Sequence, residues 1–313
     1  MLGEWLGAQA QSNNYVNRGH SFTTMAFPWR TTMRALNLPQ ELLDYIVDFA
    51  AVECGKKDLY ACSLAGWPFL IRSRKHLFRH VQLRPYSENS TLGLLRALEA
   101  DLGLLERGKG WTPLASCIRS LELIPCEWAA PTTIAPNLDK VLKYLSHVEA
   151  FKLNFENSEP LSPSWSLLKN GLRSPLLTFC SMAQSKIMTL VNISDFPPQI
   201  IYSCSGLEHL KLENTYRPLP LKGFLFSPKD LPAIQFLEIE DESLDLIASS
   251  TAQYPELLQT FSSVLELETD YALRLPNSTH LLIMSMAGSL RRLRLTSTLN
   301  YIYSELYQRP PAL

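Results

Sequence analysis

The sequence predicts an α/β chain: a short N-terminal module of three helices, then an irregular solenoid built on a curved, mostly parallel sheet. Three observations carry that expectation. Residues 38–80 hold three amphipathic helical segments in close succession. Beyond them one apolar pattern returns seven times, at intervals of 27 to 30 residues. Several of those intervals also contain a helix-like stretch, so the repeating unit reads as strand, loop and helix.

Composition bounds the rest. The 313 residues are 46% hydrophobic and 19% charged, enough apolar material for a large core and too little charge for a disordered chain. The net charge of −1 gives no global pull toward nucleic acid or an anionic membrane. The longest apolar run, 281–287, is far shorter than the ~18 residues of a membrane span. No signal-like apolar stretch opens the sequence, and the six cysteines form no C-x-x-C pair. The expectation is an intracellular protein, cytoplasmic or nuclear, with reduced thiols. The sequons at Asn89, Asn192 and Asn277 are then chance matches.

Residues 1–33 show little sustained period and are expected to be a poorly ordered lead segment. The helical module spans 34–80. Pro39 and Glu41 mark a helix start, and Leu42, Leu43, Ile46, Phe49 and Ala50 follow at helical spacing. Asp58 is the expected N-cap of a second helix carrying Leu59, Cys62 and Leu64. A third runs from about Trp67 to Phe78, with Leu70, Leu77 and Phe78 among basic residues. A unit this small has spare apolar surface and needs a partner or more chain to be stable.

These blocks resemble an F-box. Leu38-Pro39-x-Glu41-Leu42-Leu43-x-x-Ile46 is similar to its opening, and Asp58-Leu59-x-Ala61-Cys62-Ser63-Leu64 to its second helix. Arg72-Ser73-Arg74-Lys75-His76-Leu77-Phe78-Arg79-His80-Val81 resembles its end as found in many fungal proteins. The match spans residues 38–83 and departs from the pattern at Gly66, Trp67 and Phe69, where Phe69 falls at the usual Trp position. The same residues also fit a purely structural helical cap.

From 81 to 313 the chain is expected to form the repeat domain. Val81-Gln82-Leu83 is strand-like, a turn follows at 84–87, and a helix is expected from Thr91 to Glu106, with Leu92, Leu95, Leu98 and Leu102 on one face and Gly108 and Gly110 beyond its end. The triples begin at Ile118, Val148, Leu177, Leu207, Ile234, Ser262 and Leu290, each followed by apolar residues three and five positions on. Helical stretches are expected at 138–145, 165–172 and 281–286. The units resemble degenerate leucine-rich repeats that lack the usual turn asparagine, with Asn154 and Asn214 the nearest candidates. In such a sheet Leu121, Leu123, Leu210, Leu212, Leu237, Leu293 and Leu295 point inward. Strand alternation then places Glu122, Lys152, His209, Lys211, Phe236, Glu238, Arg292 and Arg294 on the concave face, a mixed-charge surface suited to a protein partner. The proline-rich interval 212–232 reads as a surface excursion, and the C-terminal end as frayed.

Catalytic motifs are absent: no G-x-S-x-G, Walker loop, G-x-G-x-x-G or H-E-x-x-H occurs. His76 and His80 have helical i, i+4 spacing but no motif that completes a metal site. Glu238, Glu240, Asp241 and Glu242 read as a solvated acidic loop, and Glu266, Glu268 and Asp270 as the wet side of a strand. No cofactor, metal, nucleic acid or membrane is expected. The F-box resemblance implies a non-catalytic substrate receptor of a cullin-type ubiquitin ligase, binding a Skp-type adaptor through Leu38, Pro39, Leu42, Leu43, Ile46, Leu59 and Phe69, or residues that support that contact, and a protein substrate through the repeats. The alternative is a repeat-built interaction scaffold with a structural cap.

Overall fold

The computed structural model describes residues 38–84, 88–105, 112–125, 134–155, 164–165, 168, 170–182, 184–216, 231–270 and 277–296. The lead segment, turn residues 85–87, the glycines at 108 and 110, the proline-rich stretch from 217 to 230 and the C-terminal end lie outside them. The chain divides into two compact units, 1–80 with 92–118, and 81–91 with 119–313.

The first unit is helical. Helix α1 runs Gln40–Glu53, α2 Lys56–Ala65 and α3 Trp67–Leu77. Pro39 is the N-cap of α1, and its carbonyl accepts the Leu42 and Leu43 amides. Gly55, not Asp58, is the N-cap of α2: Asp58 sits in the first turn, and its carboxylate accepts the Gly55 amide at 3.1 Å. Arg74, Lys75 and His76 crowd the last turn of α3, where the helix dipole favours positive charge. Because α3 ends at Leu77, His76 and His80 share no helix face. Helix α4, Glu88–Leu105, buries Leu94, Leu95 and Leu98, but Leu102, expected on that face, is exposed. At the start of the short α5, Leu114–Cys117, the Leu114 backbone amide donates a hydrogen bond to Asp101 Oδ2. The other Asp101 oxygen accepts Arg74 at 2.5 Å, an ion pair whose two side chains are almost fully buried.

The second unit holds one eight-stranded parallel sheet whose strands lie in chain order. They are β1 (His80–Leu83), β2 (Ser120–Leu123), β3 (Ala150–Asn154), β4 (Ile187–Ser194), β5 (His209–Tyr216), β6 (Phe236–Ile239), β7 (Glu266–Asp270) and β8 (Arg292–Thr296). Parallel neighbours need crossovers, and these are right-handed in nearly every known case. With an order that never reverses, the crossovers fall on one face, and the described strands form no topological switch point of the kind that binds dinucleotides. The connecting helices are α6 (Ile134–Tyr144), α7 (Asn170–Met182), α8 (Gln199–Ser203), α9 (Asp241–Gln253) and α10 (Asn277–Met286). They pack in succession, α6 on α7, α7 on α8 and α9 on α10. Phe179 of α7 meets Phe151 of β3 edge to face at 5.3 Å, which fixes the inward side of the sheet.

The repeat is clearest in the backbone. At the foot of each strand one carbonyl accepts two consecutive amides of the next: Arg119 from 149 and 150, Glu149 from 186 and 187, Lys186 from 208 and 209. Glu208, Gln235 and Leu265 continue the series to residues 291 and 292. Inward rows follow from it. Leu121, Phe151, Met188, Leu210, Leu237 and Leu267 form one, and Leu123, Leu153, Leu190, Leu212 and Ile239 the next, all buried. Each contributes about 1.5–3 kcal/mol by leaving water.

Two of the seven triples are misplaced. Leu177-x-x-Cys180-x-Met182 lies in α7, and the strand follows it as Ser185-x-x-Met188-x-Leu190. In β7 the inward residues are Leu267 and Thr269, so the unit starts at Val264 rather than Ser262. Leu293 and Leu295 stand in register with the inward Leu267 and Thr269, as expected, but on β8, the last strand among the described residues, they are exposed. The helix expected at 165–172 begins at Asn170 instead. Asp241 and Glu242, read as a loop, open α9 instead.

Candidate functional site

Two surfaces hold the residues singled out in the sequence. The first is α1, which is apolar on two faces. Leu43, Val47 and Ala50 recur at helical spacing and are buried within the helical unit. Leu42, Tyr45, Ile46, Phe49 and Val52 form a second stripe, and all are exposed, Leu42 by 50% and Ile46 by 44%. Leu38 and Pro39 extend this stripe at the N-terminal end, and Leu64 and Trp67 are exposed in the same unit. A helix packed on one side needs only one apolar face. A second one left in water is the usual mark of a docking surface.

Polar contacts fix α1 against α3. The Gln40 amide nitrogen donates to the Pro68 carbonyl at 2.9 Å and to Asp44 at 2.8 Å. Asp48 accepts both Nε and Nη2 of Arg72, at 2.6 and 2.7 Å, and its Oδ1 lies 2.7 Å from Nε2 of His76. The Arg72 bonds, with help from His76, hold the Asp48 carboxyl down at about 2. The stripe is therefore carried on a helix clamped at its first turn and in its second half.

Of the seven expected adaptor residues, Leu38, Pro39, Leu42 and Ile46 are on the surface. Leu43 and Leu59 are core residues of the helical unit and support the stripe from beneath. Phe69 is half-buried. Tyr45 and Val52 were missed, although the excess of apolar residues over one helix face was there to be read. Trp67 stood out only as a departure from the family pattern.

The second surface is the sheet face opposite the helices. Its residues come in two rows: Ser120, Ala150, Ile187, His209, Phe236, Glu266 and Arg292, then Glu122, Lys152, Thr189, Lys211, Glu238, Glu268 and Arg294. Charges pair across strands. Lys152 reaches Glu122 at 3.1 Å, Lys211 reaches Glu238 at 3.1 Å, Arg292 reaches Glu266 at 2.6 Å and Arg294 reaches Glu268 at 2.9 Å. His209 sits 3.1 Å from Glu238, its ring tilted against Phe236. Glu238 and Glu268 are direct neighbours in register, a repulsive pairing that their separate cations offset.

Burial pushes the Glu238 carboxyl up, but bonds from Lys211 and His209 outweigh it and leave the net shift downward. Glu122 behaves likewise: burial raises it, and Lys152, Gln82 and Asn154 together lower it further. Lys211 is raised, chiefly by Glu213. Glu122 is buried rather than available on this face, since Gln82, Asn154 and Lys152 enclose it. Lys152, His209, Lys211 and Glu238 are half-buried, and Phe236, Arg292 and Arg294 are exposed.

Two asparagines interrupt β4 and β5 near their C-terminal ends. Asn192 and Asn214 take left-handed backbone, φ 55° and 48°, and Asn214 Nδ2 donates to Asn192 Oδ1 at 3.0 Å. The strand register resumes beyond them, at Ile193 beside Thr215. Asn154 instead donates to Glu122 at 3.3 Å.

Carboxylates held ionised by fixed cations are poorly suited to proton transfer near neutral pH. Among the described residues no cluster of three His, Cys, Asp or Glu is placed to hold a metal, and no helix is long and apolar enough to cross a membrane. No family model matches the chain, and a search of curated proteins finds no match.

Proposed function

We propose that the chain is a substrate receptor of a cullin-type ubiquitin ligase: an F-box module that binds a Skp-type adaptor, followed by degenerate leucine-rich repeats whose concave open face holds a protein substrate inside the cell. The observation that carries this reading is the second apolar face of α1, Leu42, Tyr45, Ile46, Phe49 and Val52, adjoining Leu38 and Pro39. Leu38, Pro39, Leu42, Tyr45 and Ile46 of this set lie in the segment that resembles the F-box opening. An open polar sheet face with no proton-transfer constellation supports a binding role over a catalytic one. The chain would then act by proximity, raising the local concentration of a substrate lysine near the loaded conjugating enzyme.

The test is Leu42→Asp with Ile46→Asp in a pull-down with purified adaptor. Two apolar anchors are removed and two carboxylates must be desolvated, so the loss should exceed ~4 kcal/mol, about a thousandfold in affinity. Circular dichroism should be unchanged, because neither side chain is buried. Wild-type affinity in the double variant overturns the proposal. Loss of binding through unfolding of the whole chain favours the scaffold with a structural cap.

A further inference from the structure

We propose that Cys180 and Cys204 form a redox site: a buried dithiol that closes to a disulfide and ties α7 to the end of α8. Cys180 lies in α7, and Cys204 is the residue that ends α8, the next helix against it. Both are almost fully buried. The Cys204 thiol donates to the Cys180 carbonyl at 3.0 Å and to the Ile200 carbonyl at 3.2 Å. The Cys204 sulfur thus lies against the backbone of Cys180 itself, the residue it would bridge. A disulfide here requires the two Cα atoms to come within ~4.4–6.8 Å of each other.

In the closed fold the pair is inert. The neighbouring Cys204 thiol and burial hold the Cys180 thiol well above the ordinary cysteine range, so it stays protonated. Access comes through α8, a five-residue helix that follows Pro197 and Pro198. An element this short opens locally at far lower cost than the sheet beneath it. A peroxide then completes the reaction: both S–H bonds and the O–O bond break, the S–S bond and two O–H bonds form, and two waters leave. The sulfurs give up two electrons and the peroxide accepts them. The new bond closes a loop from 180 to 204 that contains β4, whose Ile187 and Thr189 belong to the open face. A loop of that length should raise the melting temperature by on the order of 5–10 °C. The inference stands apart from the ligase reading, since it needs neither adaptor nor substrate.

The full chain is first alkylated in its native state to cap exposed Cys54, then treated with hydrogen peroxide in mild urea, quenched with a second alkylating label and cut with trypsin. Cleavage after Arg173, Lys186 and Lys211 puts Cys180 and Cys204 on separate peptides, 174–186 and 187–211. The expected product is these two peptides joined, lighter by two hydrogens than their sum and parted by dithiothreitol, with a melting rise that the same reductant reverses. Cys180→Ser and Cys204→Ser should each abolish the joined product. Recovery of both cysteines with the second label, or either one joined to a different cysteine, overturns the proposal. Mapping of the unaltered chain decides the matter even where a serine variant fails to fold.

Discussion

The two units treat charge and apolar surface in opposite ways. In the helical unit an arginine and an aspartate, Arg74 and Asp101, are buried together, while α1 leaves a row of large apolar side chains in water. In the sheet unit the apolar rows are inside, and the exposed face is a set of cross-strand ion pairs that satisfy one another. The first arrangement stores unrealised burial energy on its surface, so it gains by acquiring a partner. The second has little to gain from a partner of like polarity and is suited to recognition by charge pattern around the exposed Phe236. The chain separates an exposed apolar surface from one whose exposed charges are already paired.

That contrast can be broken at graded cost. The largest effect is expected at the buried pair. Arg74→Ala leaves the Asp101 carboxylate inside without its cation and should destabilise the helical unit by about 3–5 kcal/mol in urea unfolding. In the sheet, Leu210→Ala opens a cavity in the inward row and should cost about 2–5 kcal/mol, whereas Thr189→Ala on the open face should change little. Asn214→Ala forces a residue with a Cβ and no local hydrogen bond into left-handed backbone and breaks the bond to Asn192, at about 1–2 kcal/mol.

Smaller effects belong to exposed charge. Asp48 has a lowered folded-state pKa, so its contribution is complete above the unfolded value of about 3.9 and is lost as pH falls toward about 2. The Arg72–Asp48 pair is more than a third exposed, so solvent screening keeps the effect to about 1 kcal/mol or less; Asp48→Asn should flatten the acid limb of a stability–pH curve by that much. Arg294→Ala should cost less than ~0.5 kcal/mol in stability, since the Glu268 carboxylate it frees can be solvated. A larger loss would mean the open face is a structural network and not a free surface.

Much of this could be read from the residues because the sheet is regular. Strands β2, β3, β5, β6 and β8 follow their apolar triples, and even the slip at β7 was harmless. An error of two residues preserves strand parity, so Glu266 and Glu268 were still placed facing water. The failure at 177–182 has a physical cause. Leu176, Phe179 and Cys180 recur at helical spacing, and a triple of apolar residues at i, i+3 and i+5 does not separate a helix from a strand in so apolar a stretch. A better signal was polar. Ser185, Ser263 and Ser289, two or three residues before β4, β7 and β8, each send a hydroxyl to the carbonyl of the preceding unit, at Val148, Ile234 and Val264. The α1 face was legible in type but not in sorting. Nothing in the spacing distinguishes Leu42 from Leu43, and only the packed neighbours do.

The central claim is that α1 carries two apolar faces with different work, and paired alanine variants test it most directly. Leu42→Ala with Ile46→Ala and Leu43→Ala with Val47→Ala remove comparable apolar volume from opposite sides of one helix. Adaptor affinity by calorimetry and melting temperature by circular dichroism are measured for both. The account predicts that the first pair loses at least tenfold in affinity, ~1.4 kcal/mol, with an unchanged melting temperature. It predicts that the second pair loses about 2–5 kcal/mol of stability. If the first pair melts lower and binds as wild type, or if both pairs behave alike, the two-faced reading of α1 is contradicted.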